Sequence, residues 1–105
     1  MLDELLHVGK ERLRERYGDR LRGVILHGSE ARGEADEDSD VDLLVLLEGP
    51  VELGRELRTI IDVLYPLQLE LGFFRTLEII PTDVEDYEAQ SYALYRHARE
   101  EGIRL

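Results

Sequence analysis

The chain has 105 residues, 43% of them hydrophobic and 35% charged, with a formal net charge of −11 and no cysteine. That length predicts one domain, residues 1–105, with a modest core, and the composition excludes a disordered chain. Disulfides, thiolate catalysis and Cys-ligated zinc are excluded together, no apolar run approaches the roughly 20 residues of a membrane span, and the negative charge argues against long nucleic acid as a partner.

The start, Met1 to Glu4, has no basic segment leading into an apolar one, so a cytoplasmic address is expected. Leu2, Leu5, Leu6, Leu13 and Tyr17 share a helical face and predict a helix over 2–17, stopped by Gly18. Arg12, Arg14, Arg16, Arg20 and Arg22 cluster here, but Glu11, Glu15 and Asp19 are interleaved. The cluster reads as a salt-bridged helix surface, with a docking face for an acidic or helical partner as the alternative. A short strand follows over 22–27. Ser29 then caps a single helical turn, and Gly33 releases the chain into an acidic loop. Residues 41–47 are continuously apolar except Asp42, as suits a strand covered on both faces.

Gly49-Pro50 punctuates, with Pro50 placed as a first helical residue. Leu53, Leu57, Ile60, Ile61 and Leu64 keep core-facing helical spacing. Pro66 ends or kinks that helix, while Leu67, Leu69 and Leu71 keep the chain packed up to Gly72. A third strand is expected over 73–80, with Pro81 as terminator. Thr82 and Glu85 have capping-box spacing and start a short turn. A final helix runs from about Tyr92 to Glu101 and stops at Gly102. The order αβ(α)βαβα predicts an α/β (α+β) fold, a small mixed sheet with helices packed against it.

The chemistry concentrates in residues 28–42, GSEARGEADEDSDVD. Gly28-Ser29 follows one apolar strand, and Asp40-Val41-Asp42 opens the next. A turn of the first kind cradles phosphates through backbone N–H groups, and paired carboxylates hold hard divalent cations through oxygen. Asp40 and Asp42 lie two apart at a strand mouth, so their side chains point the same way. Two adjacent carboxylates resist joint ionisation unless a cation sits between them, and magnesium meets that need while keeping room for substrate phosphates. The pairing suggests chemistry on a nucleoside triphosphate.

Rival readings of the same loop are weaker. Counted from Asp36 or Asp38, a calcium loop would need Gly where Val41 or Leu43 stands, and Glu where Leu47 or Gly49 stands. The remaining acids, Glu34, Asp36, Glu37 and Asp38, read as solvated loop. His27 reads as a packed strand-end histidine before it reads as a general base. Ser29 lacks the His and Asp pattern of a covalent nucleophile.

The string LHGSEARGEADEDSDVDLLVLL is similar to the signature of minimal nucleotidyltransferases, small members of the DNA polymerase β-like nucleotidyltransferase superfamily. Gly28, Ser29, Ala31, Arg32, Gly33, Asp40 and Asp42 match its pattern, and the ending from Tyr95 to Ile103 resembles a common tail. The resemblance implies a polymerase β palm-like fold, with Gly28 and Ser29 on the triphosphate and Asp40 and Asp42 on magnesium, two ions in all. Arg32 is expected either on phosphate oxygens or in a salt bridge to Glu34.

The family expects a third acid on the next core strand, completing the metal site and helping to deprotonate the attacking hydroxyl. Glu78 is the candidate, as the one acid within 73–80, and it departs from the Asp more usual there. Glu70 and Asp83 are lesser candidates. The implied reaction is magnesium-dependent transfer of a nucleoside monophosphate, AMP from ATP, to a hydroxyl, with release of pyrophosphate. The implied acceptor is a tyrosine of a HEPN-domain partner protein in a toxin–antitoxin setting. The alternative is a binding module that neutralises its partner by occlusion, with little or no catalysis.

Overall fold

The computed structural model describes all 105 residues. Helix α1 spans Leu2–Tyr17, and after a 3-10 turn at Gly18–Arg20 strand β1 spans Leu21–His27. A four-residue helical turn, α2 (Gly28–Ala31), leads through the acidic loop to β2 (Val41–Leu47). The crossover helix α3 (Leu53–Leu71) returns the chain to β3 (Leu77–Asp83), followed by α4 (Val84–Glu88), α5 (Ala93–Glu101) and a two-residue strand, β4 (Ile103–Arg104).

The sheet order is β3-β2-β1-β4. Strand β2 runs antiparallel to β1 and parallel to β3, and β4 adds to β1 antiparallel, so the sheet is mixed as expected. Alternation along β2 explains its composition. Val41, Leu43, Val45 and Leu47 join a core with Leu5 and Leu13 of α1 and Ile60, Leu64 and Leu67 of α3. Leu44 and Leu46 turn to the other face, against Ile25, Tyr87 of α4 and Ala98 of α5. A strand sandwiched between helices has no solvent face, so it reads as a continuous apolar run. Asp42 is the exception. No helix is long and apolar enough to cross a membrane.

Several local expectations need correction. The turn α2 starts at Gly28 without a side-chain cap, so Ser29 lies inside it rather than at its cap. Helix α3 continues through Pro66 to Leu71, because Leu64 and Leu67 on either side of the proline are buried and hold the turn in place. It starts at Leu53, with Glu52 Oε2 accepting from the Arg55 N–H at 2.6 Å, so Pro50 lies outside the helix. Strand β3 begins at Leu77 rather than residue 73. Gly72 takes the left-handed conformation, and the Phe73 N–H reaches back to the Gln68 carbonyl at 3.0 Å, so Phe73 closes the helix end. Pro81 lies inside β3, which is tolerated because this is an edge strand with a single ladder to fill. Finally, Asp83 caps α4, its Oδ1 accepting from the Glu85 N–H at 2.8 Å, whereas Thr82 is buried and donates to the Ile80 carbonyl at 2.9 Å.

Candidate active site

Three strands bring three side chains into one row. Asp42 on β2 pairs in register with His27 on β1 and with Glu78 on β3. Register partners share a face of the sheet, here the face that carries Ile25, Leu44 and Ile80 against α4 and α5. Those helices cover the apolar part of the face and leave the row at its end open. Leu43 to Leu47 are buried, Asp42 is half-buried, and Asp40 and Glu78 are exposed.

Glu78 belongs to the charge system of the two aspartates. A hydrogen bond to Asp42, then the negative charges of Asp42 and Asp40, hold its carboxyl above the usual carboxylate range. The three acids named from sequence therefore converge. Glu70 and Asp83 do not: Glu70 pairs with Arg12 at 3.2 Å on the α1–α3 surface, and Asp83 sits opposite Leu47 at the far end of β2.

The Gly28–Ser29 turn lies directly against this cluster. Gly28 has φ 71°, and an ideal Cβ built on it would lie 2.2 Å from Asp42 Oδ2. Backbone and carboxylate are thus in contact, and any side chain at this position would displace the Asp42 carboxylate. The N–H groups at the start of a helical turn have no partner within it, so α2 presents donors to an anion beside the acids. Arg32, at the end of α2, has its Nε 3.2 Å from Glu34 Oε2 and its Nη1 3.5 Å from Glu101 Oε2. Its guanidinium is held by carboxylates, the second of the two roles expected for it.

His27 closes the β1 end of the row. Burial lowers its pKa, against an upward pull from Asp42, which leaves a neutral imidazole at neutral pH. Its Nε2 is buried without a hydrogen-bond partner. The acidic loop is more ordered than a run of solvated charge. Asp36 Oδ1 accepts from the Asp38 N–H at 2.9 Å and from the Ser39 hydroxyl at 3.2 Å, and the Asp36 N–H donates to Ser39 Oγ at 3.0 Å. These bonds hold the Asp36 carboxyl below the usual range, the Asp38 N–H contributing most. The Asp-x-x-Ser spacing is the local signal for such a turn.

Arg75, which sequence patterning does not single out, reaches the same region. Its Nε donates to the Ser39 carbonyl at 3.0 Å, and its Nη1 is 2.6 Å from Glu30 Oε1.

The donor set is all oxygen and strongly negative, which fits a hard divalent cation such as magnesium. Asp40, Asp42 and Glu78 are the residues that would hold it. No group of three or more His, Cys, Asp or Glu side chains is placed to hold a metal ion, so a cation here would need phosphate oxygens and waters beside these acids. The site is an open face. The largest cavity, about 440 Å³, lies elsewhere, between α1 and Leu105.

A glycine turn packed against a row of carboxylates, on a mixed sheet of this order, fits a nucleotidyl-transfer enzyme. The chain belongs to the nucleotidyltransferase domain family, whose model matches residues 8–95. It is 43% identical over 72 residues to the protein adenylyltransferase MntA of Thermococcus cleftensis, spanning 67% of this chain and 71% of that protein. A Methanocaldococcus jannaschii protein is 32% identical over 94 residues, 86% of this chain and 83% of its own length. The fold also matches a chain in the crystal structure of a toxin–antitoxin with AMP-PNP, with a TM-score of 0.62 at 16% identity, covering 92% of this chain and 69% of that one. The activity of the class is transfer of a nucleoside monophosphate from a triphosphate with release of pyrophosphate.

Proposed function

We propose that this enzyme transfers AMP from ATP to a hydroxyl of a partner protein, in a toxin–antitoxin setting, with magnesium bound by Asp40, Asp42 and Glu78. The acceptor in this reading is a tyrosine of a HEPN-domain protein. The observation that carries it is the convergence of the three acids beside the Gly28–Ser29 turn. The adenylyl group and the protein acceptor are supported by the name of the Thermococcus relative, and the setting by the toxin–antitoxin crystal structure that shares the fold.

Magnesium at this position would neutralise charge on the triphosphate and on the leaving pyrophosphate. The amides of the Gly28–Ser29 turn bind phosphate oxygens and fix the nucleotide against Asp42. Glu78, beside Asp42 on the neighbouring strand, accepts the proton of the attacking hydroxyl. The new bond joins the tyrosine oxygen to the α-phosphorus. The bond from that phosphorus to the bridging oxygen breaks, and pyrophosphate leaves with its electron pair. Arg32 reaches the phosphates only by exchanging Glu34 and Glu101 for them.

The test is incubation with α-labelled ATP, magnesium and a HEPN-domain protein encoded beside this chain. Label on the partner, lost with Asp42→Ala, supports the reading. Tight association without label supports the occlusion module instead.

A further inference from the structure

The segments that supply the candidate site are three, and one side chain touches or flanks all of them. Arg75 lies between α3 and β3, three residues before Glu78, with its side chain 20% exposed. Its Nη1 pairs with Glu30, the residue after Ser29 in the phosphate-facing turn, itself 20% exposed. Its Nε donates to the carbonyl of Ser39, the residue before Asp40. The next residue along, Thr76, accepts the N–H of Val41 at 2.9 Å, so both neighbours of Asp40 are tied to residues 75–76. The Arg75 segment is itself anchored, because Gln68 Nε2 on α3 donates to the Arg75 carbonyl at 3.1 Å.

We infer that Arg75 is a positioning residue for the transfer reaction, setting the Gly28–Ser29 turn and the Asp40 carboxylate at a fixed separation through Glu30 and Ser39. A guanidinium suits this task because its planar fork lets Nε donate to the Ser39 carbonyl while Nη1 stays in ion-pair contact with Glu30, whereas an ammonium is a point charge; Nη2 is buried without a hydrogen-bond partner. The assignment rests on the proposed site, and its test is chosen to stand apart from it.

Amide hydrogen exchange and transfer kinetics would be measured on the wild type, Arg75→Gln, Arg75→Lys and Glu30→Gln. In Arg75→Gln, exchange at Ser39 to Val41 rises about tenfold or more, as expected from loss of a charge-assisted hydrogen bond, while Val24 to Leu26 in β1 keep their protection. Transfer falls by about ten- to a hundredfold, with the loss in kcat larger than the rise in KM for ATP. Arg75→Lys recovers part of kcat, and Glu30→Gln leaves the loop protected. Uniform loss of protection across the sheet, or exchange at 39–41 within about twofold of wild type, overturns the inference. If the wild type transfers no label the proposed reaction fails, and the exchange pattern still decides whether Arg75 holds the loop.

Discussion

Replacing Gly28 by alanine separates what the glycine does for the backbone from what it does for the site. Its φ of 71° carries a penalty of about 1–2 kcal/mol for any L-residue. Gly33 has φ 73° and nothing within 4 Å of an added Cβ, so Gly33→Ala carries the same penalty and no collision. At Gly28 the new Cβ would lie 2.2 Å from Asp42 Oδ2 and 3.1 Å from its Cγ, but 3.4 Å from its Cβ. The root of Asp42 therefore stays while its carboxylate swings away, by roughly an ångström or more, toward His27 or Glu78. Displacement on that scale costs about a hundredfold in rate. Both variants should lose roughly 5–15 °C in Tm by circular dichroism. Only Gly28→Ala should lose label transfer, by about two orders of magnitude, when both are assayed well below their transitions. Retention of more than a tenth of wild-type activity by Gly28→Ala, or an equal loss in Gly33→Ala, would refute the reasoning.

Glu78→Gln should raise Tm in the metal-free protein at neutral pH while lowering transfer. The folded-state pKa of Glu78 is raised, so its ionisation opposes folding as pH rises through that value, and the difference from wild type should vanish in acid. Glu56 predicts the opposite sign. Burial pushes its carboxyl up, but hydrogen bonds from Arg20 at 2.6 Å and Tyr17 at 3.1 Å overcome this and leave it below the usual range. Its contribution is present at neutral pH and is lost as pH falls through the lowered value. Glu56→Gln should cost about 2–3 kcal/mol in urea unfolding at pH 7, below a fully buried pair because Arg20 keeps partial solvent access. Gly102→Ala would set a Cβ 2.2 Å from the Ala98 carbonyl and 2.8 Å from Ile25 Cγ2. It should destabilise by about 1–3 kcal/mol and release β4, visible as faster exchange at Leu105, whose N–H bonds to the Val24 carbonyl at 2.9 Å.

The site is legible where its signal is local. Gly28-Ser29 and Asp40-x-Asp42 carry their meaning in spacing, and Glu78 stands out as the acid within an apolar segment. The strand that holds Glu78 starts four residues later than composition suggests, because Phe73 and Phe74 have strand character without strand pairing. One is spent on closing α3, and the other is 77% exposed. Pro81 reads as a stop because a chain alone does not reveal which strand lies at an edge. Two-residue β4 has no periodicity to detect and exists only through pairing with Ile25 and Leu26. Arg75 and Glu30 are 45 positions apart, and their pairing depends on the tertiary fold, so in sequence neither differs from a surface charge.

The row of His27, Asp42 and Glu78 has a consequence for folding fidelity. Side chains alternate across a strand, so a slip of β3 by one residue against β2 would send Glu78 to the face of α1 and α3 and turn Ile79 out in its place. Such a molecule could keep most of its helices and much of its compactness yet hold two of the three acids. Specific activity would then count correctly registered molecules, and a preparation that looks folded by circular dichroism could still contain a silent fraction.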